Sequence, residues 1–235
     1  MNAEDSIFGT PLVAAARGGH TEVVAALLRK EEVLLDQHSQ RDTPLTAAVN
    51  GGHLECAQML LERGTAAGKA LARIPQLPDD GKCAHGHRMP SDDPLTLACK
   101  RGDVDLVRLL LRHGSDATGG GEGTCDTPLT AAAANGHAHC LREVMAAGAD
   151  VDAVAKWAGR TALVAAAESD SPSALECCEI LLEGGADPNF VSSGVVGRRL
   201  GYGAVHAAAA RMDAAMVKML IACLLYTSPS PRDRG

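Results

Sequence analysis

The stretch TPLTAAAANGHAHCLREVMAAGADVDA, Thr127–Ala153, decides the fold. Thr before Pro is a helix start: the Thr127 oxygen caps a free N–H, and Pro128 at the first helical position loses no hydrogen bond. The small residues that follow suit a short helix packed at close range. Gly136-His137 breaks that helix, and a second amphipathic helix then runs to Gly148, where a left-handed C-cap favours glycine.

The same pattern recurs along the chain. TPLVAAARGGHTEVVAALL starts at Thr10, TPLTAAVNGGHLECAQMLLERG at Thr43 and DPLTLACKRGDVDLVRLLLRHGSDA at Asp93. After the Thr127 copy come TALVAAAESDSPSALECCEILLEGGADPN from Thr161 and the weaker GAVHAAAARMDAAMVKMLIA from Gly203. The starts are 33, 50, 34, 34 and 42 residues apart, a period near 33 with two insertions. Breaks fall at Gly19-His20, Gly52-His53 and Gly102-Asp103. The second helices carry apolar residues at helical spacing, such as Val23, Val24, Leu27 and Leu28, or Leu106, Val107, Leu110 and Leu111, and end at Gly64, Gly114 or Gly184. One such helix pair cannot bury its apolar face alone, so the copies must stack.

This pattern resembles the ankyrin repeat, whose hallmark is Thr-Pro-Leu-His-x-Ala followed by Gly-His and a Leu-rich second helix. The resemblance covers residues 8–222 and implies an all-α solenoid of stacked helix–turn–helix pairs with β-hairpin-like finger loops, five full repeats and a truncated sixth. The expected repeats are 8–40, 41–74, 91–124, 125–157, 158–198 and 199–222, forming one domain, 1–222, with an insertion at 65–90. The motif His survives only at His206. Val13, Thr46, Thr96, Thr130 and Val164 replace it, which predicts looser hydrogen bonding between repeats.

The insertion contains TAAGKALARIPQLPDDGKCAHGHRMP. Its AAGKALARI reads as one or two further helical turns and the remainder as loop, either a recognition element or a tolerated insertion. Cys83, His85 and His87 are zinc ligands by type, but a matching second pair is missing, which favours a solvent-exposed loop. TGGGEGTCD, Thr118–Asp126, lacks the Gly-Lys-Ser/Thr ending of a phosphate loop and reads as a finger. His20, His53 and His137 share one repeat position, which indicates a structural role at the helix junction. Cys56, Cys140, Cys177 and Cys178 fall on the sites of Val23 and Val24 and read as core. No metal, cofactor or catalytic residue is assigned.

Only Phe8, Trp157, Phe190, Tyr202 and Tyr226 are aromatic, so the core must be built from Ala, Leu, Val, Met and Cys. The net charge of -7, without a basic run, disfavours nucleic acid and acidic membranes as partners. Neither a signal peptide nor an apolar run long enough to span a bilayer is present. Together these features read as a soluble, monomeric chain of a reducing compartment, the cytoplasm or nucleus.

The resemblance implies a non-catalytic scaffold that binds a protein partner; the alternative is a regulatory or targeting region of a larger kinase or ubiquitin ligase. Trp157, Tyr202 and Phe190 lie in segments that lead into helix pairs and are candidate partner contacts, with local packing as the competing role. Arg17, Asn50, Lys100, Arg101, Asn135, Glu168 and Arg211 end the first helices and should line the concave side. Their basic members suggest a groove for an acidic or polar peptide, against the plainer reading of solvated helix ends.

The chain closes with CLLYTSPSPRDRG, Cys223–Gly235, where the repeat calls for Gly-Ala-Asp. Its first eleven residues match, codon for codon, a translated transposase end used in sequencing-library preparation. The segment 223–235 is therefore expected to be non-native, and the repeat array to be cut at residue 222.

Overall fold

The computed structural model describes residues 10–29, 43–66, 93–118, 126–155, 159–191 and 201–227. Among these residues there are twelve helices and no strand. They are α1 (Pro11–Arg17), α2 (Thr21–Leu28), α3 (Pro44–Gly51), α4 (Leu54–Ala66), α5 (Pro94–Arg101) and α6 (Val104–Arg112), followed by α7 (Pro128–Ala134), α8 (Ala138–Ala146), α9 (Ala162–Glu168), α10 (Ala174–Glu183), α11 (Ala204–Ala210) and α12 (Ala214–Thr227). The odd-numbered helices pack side by side in chain order as one layer, and the even-numbered helices form a second layer behind them. The all-helical solenoid expected from the repeat is present. Its stacking continues across the insertion, since α5 packs on α3 and α6 on α4.

Helices this short do not hold in water alone, so their ends and buried faces must do the work. The Thr10 hydroxyl accepts the Val13 N–H at 3.3 Å and the Asp93 carboxylate accepts that of Thr96 at 2.7 Å. Thr43 and Thr127 accept the N–H groups of Thr46 and Thr130, both at 3.1 Å. In return the Thr46 and Thr130 hydroxyls accept the cap N–H at 2.7 Å. His206 does the same job with Nδ1, accepting the Gly203 N–H at 3.2 Å. Thr46 and Thr130 at the motif His position thus close a capping box within their own repeats, whereas the buried Thr96 hydroxyl has no hydrogen-bond partner among the described residues. Bonding between repeats is carried elsewhere, at the helix junctions described below.

The second-layer helices share a register. Cys56, Leu106, Cys140, Cys177 and Met216 occupy one position and are fully buried, whereas Val23 at the same position of α2 is 49% exposed. The expectation that Val23 is core is therefore corrected. This side of each outer helix faces the preceding repeat, and no described helix packs on that side of α2. The first-layer helices bury Ala15, Ala16, Ala47, Ala48, Ala131 to Ala133 and Ala165 to Ala167, whose size lets the helix axes approach closely.

Glycines punctuate the repeats where φ is positive. Gly114 and Gly148 end α6 and α8 as expected, but Gly185 rather than Gly184 takes the left-handed position after α10. Gly64 ends nothing, because α4 runs on to Ala66. Residues 67–90, including Cys83, His85 and His87, lie outside the described residues, as do Phe8 and 228–235. The α12 helix includes Cys223–Thr227, the first residues of the adapter-like segment.

Between the two helices of a repeat, Gly19, Gly52, Gly102 and Gly136 have φ of 68°, 77°, 77° and 71°. Met212 occupies this position in the sixth repeat at φ 57°, the one non-glycine residue with positive φ among the described residues, with its side chain 89% exposed. A left-handed backbone costs an L residue about 1–2 kcal/mol. Met212→Gly is accordingly expected to raise stability by about 0.5–1 kcal/mol, and Gly102→Ala to lower it by at least about 1–2 kcal/mol; urea unfolding followed by circular dichroism measures both.

The thiols of Cys56, Cys99, Cys140, Cys177 and Cys178 are buried. Loss of hydration disfavours the thiolate and pushes Cys140 and Cys177 up to about 11 and Cys178 to about 12. Because their folded values lie above the unfolded value near 9.0, the unfolded chain releases these protons first. Stability should hold below that value and fall as pH rises from it towards 11–12. A pH series of unfolding midpoints tests this, with the same series on a Cys140→Ala, Cys178→Ala variant showing a shallower decline.

Candidate partner-binding surface

The last carbonyls of a helix have no partner within it and carry the negative end of its dipole. In this array the next repeat supplies the donor. His53 Nε2 donates to the Arg17 carbonyl at 3.1 Å, and His137 Nε2 to the Lys100 carbonyl at 3.1 Å. Where the junction His is replaced by Asp, an arginine two residues earlier takes over. Arg101, before Asp103, donates through Nη1 to the Asn50 carbonyl at 2.6 Å. Arg211, before Asp213, donates to the Glu168 carbonyl at 3.3 Å and pairs with Asp170.

The freed aspartates then cap their own helices. Asp103 Oδ1 accepts the Leu106 N–H at 3.1 Å and Asp213 Oδ1 that of Met216 at 3.0 Å, whereas His137 gives α8 no side-chain cap. The donor sits directly over the positive-φ glycine of the repeat before it: His53 over Gly19, Arg101 over Gly52 and His137 over Gly102. A Cβ there would collide with it, so these glycines are required twice, once for the backbone and once for the neighbour.

The row predicted along the first-layer helix ends is present, and most of its charge is already engaged. Arg17, Asn50, Arg101 and Asn135 are exposed one per repeat, and Lys100, Glu168 and Arg211 are half-buried. Lys100 pairs with Asp126 at 3.4 Å, and Arg160 joins Asp126 at 3.6 Å to Glu168 at 2.7 Å. Asn135 turns back onto the Ala131 carbonyl at 2.8 Å. Arg101 and Arg211, chosen from sequence as partner contacts, are first of all donors between repeats. Their sequence signal is an arginine two residues before an Asp that stands where other repeats have His.

The finger side is built by aspartates. Asp116, Asp150 and Asp187 each accept the N–H two residues on, at 2.9, 3.1 and 2.8 Å, which folds the same turn in three successive repeats. Asp152 accepts the Asp187 N–H at 2.9 Å and so fixes one finger against the next. The bridges Ala155–Arg160 and Val191–Gly203 bring the chain back. Val154 and Val191, at equal distance after Asp150 and Asp187, are 43% and 51% exposed. Sequence reasoning missed this pair, which counting from the two aspartates would have found. Phe190 and Tyr202 are half-buried against the core, with the Tyr202 ring centroid 5.9 Å from that of His206. Trp157 lies outside the described residues.

Among the described residues, no three His, Cys, Asp or Glu side chains converge to hold a metal, and no helix is long and apolar enough to cross a membrane.

A family model described as ankyrin repeats matches residues 1–69 and 95–192. No curated protein matches the sequence. The human ASB11 ankyrin repeat domain is similar in structure, with a TM-score of 0.68 and 24% identity over 95% of this chain and 86% of that one. An ankyrin repeat domain from Acinetobacter baumannii gives 0.67 and 24% over 91% and 97%. The ankyrin repeat domain of Bcl-3, described as a unique member of the IkappaB protein family, gives 0.67 and 25% over 91% and 86%.

The exchange between His and Arg is testable as a coupling. Asp103→His is expected to cost about 1 kcal/mol in the native background, where it removes the α6 cap while Arg101 holds the seat. In an Arg101→Ala background the new His can take the vacated carbonyl, and the same change should cost close to nothing. A double-mutant cycle by urea unfolding should therefore give a coupling of about 1 kcal/mol.

Proposed function

The chain belongs to the ankyrin repeat family, and on that premise we propose that it is a non-catalytic interaction module that holds a partner protein along its fingers and first-layer helix ends. The observation that carries this reading is the bonding between repeats. The donors His53, Arg101, His137 and Arg211 fix one edge of the array, and the Asp187 to Asp152 bond fixes fingers at the other. Exposed side chains recur once per repeat on a frame that is ordered before any partner arrives, which reduces the entropy lost on binding.

Within that surface the contacts proposed are Trp157, Phe190 and Tyr202 on the finger side, with Arg17, Asn50, Lys100, Arg101, Asn135 and Arg211 along the helix ends. Two structural facts weight the finger side. The helix-end cations are engaged within the chain, so an acidic partner would have to compete for them, whereas Val154 and Val191 present apolar surface at matched positions. Tyr202 and Phe190 add half-buried aromatic surface beside them. Partners recovered by crosslinking from a lysate would be quantified against the native chain and a Trp157→Ala, Tyr202→Ala variant. Hot-spot aromatics typically carry about 2 kcal/mol or more, so affinity for a genuine partner is expected to drop at least about thirtyfold with the far-ultraviolet circular dichroism unchanged. Equal affinity in a folded variant would move the binding surface off the fingers.

A further inference from the structure

One junction lacks its donor. Between the fourth and fifth repeats the position held by Arg101 and Arg211 elsewhere, two residues before the helix N-cap, is Ser171, with Ser173 as the cap of α10. The Ser171 side chain sits over Gly136 as the other donors sit over their glycines. Its hydroxyl accepts the Ser173 N–H at 3.3 Å, and no side-chain donor from the fifth repeat to the end of α7 occurs among the described residues. The loop also differs in length. Ser169–Ser173 separates α9 from α10 by five residues, where Asn135–His137 separates α7 from α8 by three.

Ser171 is followed by Pro172, which is exposed, while Ser171 itself is half-buried. Three other hydroxyls precede a proline in the repeats, those of Thr10, Thr43 and Thr127. Each is used as a helix N-cap, and those of Thr43 and Thr127 are also buried. The Ser171-Pro172 pair is the one in a loop. We propose that Ser171 is a phosphorylation site for a proline-directed kinase, and that the phosphate opens the seam between the fourth and fifth repeats.

The chemistry is ordinary phosphoryl transfer. Ser171 Oγ attacks the γ-phosphorus of ATP, the bond to the bridging oxygen breaks, ADP leaves, and the hydroxyl proton passes to the kinase's base. The product is too large for the seat over Gly136. It also carries close to two negative charges and only acceptor oxygens. At the carbonyl end of α7, where the array elsewhere places His or Arg, it meets the negative end of the dipole and a neighbouring carboxylate, Asp170.

The full chain would be incubated with ATP and an activated mitogen-activated protein kinase, its phosphorylated residues located by tandem mass spectrometry, and its amide exchange compared before and after. Modification of Ser171 in the folded chain is expected, with Thr43 and Thr127 left untouched and Ser171→Ala silent at that peptide. Exchange at the end of α7 and the first turn of α10 should then quicken several-fold while α2 and α4 stay unchanged. Two variants check the seat without a kinase: Ser171→Arg supplies the missing donor and should slow exchange there, and Ser171→Glu should quicken it. The proposal is overturned if the kinase modifies Ser171 only in the urea-unfolded chain, if the phosphorylated chain exchanges like the unmodified one, or if the Arg and Glu variants shift exchange in the same direction.

Discussion

At four of the five junctions between described repeats, the first helix ends with a carbonyl that nothing in the same helix can satisfy, and the next repeat provides the donor. The rest of the architecture is arranged around that bond. At three of these junctions the donor rests over a left-handed residue without a Cβ, which explains Gly19, Gly52 and Gly102. Such a bond demands a side chain of suitable reach, His from the junction itself or Arg from two residues earlier. The bond is not the main source of stability. A hydrogen bond contributes about 1 kcal/mol net, whereas removing one buried leucine such as Leu60, Leu110 or Leu181 costs about 2–5 kcal/mol. Burial holds the repeats together, and the directional bond sets where each one sits on its neighbour.

That division has a consequence for the surface. Side chains whose charge would otherwise mark a binding groove are spent on register: Arg101 and Arg211 on carbonyls, Lys100 and Arg160 on Asp126 and Glu168. On the outer layer, Arg108 reaches Glu143 at 2.7 Å and Arg142 reaches Glu176 at 3.0 Å, again from one repeat to the next. What the array offers a partner is therefore the residue at each position that the stacking does not consume. On the finger side the exposed ones include Val154 and Val191.

The repeat, its helix starts and its small-residue core were legible in the sequence because each rests on local chemistry: a Thr-Pro cap, a Gly break, an apolar spacing of three and four. Thr43, Asp93 and Thr127 cap as their residue types dictate. What was not legible depends on the surroundings of a residue beyond its local sequence. Val23 reads as core by spacing and is exposed, because its partner would have to be another repeat packed behind it. Arg101 and Arg211 read as candidate partner contacts or solvated helix ends, and their role between repeats is hidden because their acceptors lie 51 and 43 residues away along the chain. Gly184 and Gly185 are indistinguishable until the helix is seen to run one residue further. Counting repeats in register recovers part of this, since an arginine that appears only where the junction His is lost must be doing what His does.

The same register reasoning separates the two irregular positions in the glycine column. Asp170 and Met212 both stand where the other repeats have glycine, and among the described residues Asp170 alone of the two has a repeat docked upon it. There the seat residue is itself an acceptor, and the donor above it is a cation that bonds both Asp170 and the carbonyl of Glu168. Met212 keeps the left-handed backbone of the column and carries an exposed side chain there. The chemistry of the column therefore sets the fifth and sixth repeats apart from the four before them: Asp170 receives a cation, and Met212 holds positive φ without being glycine.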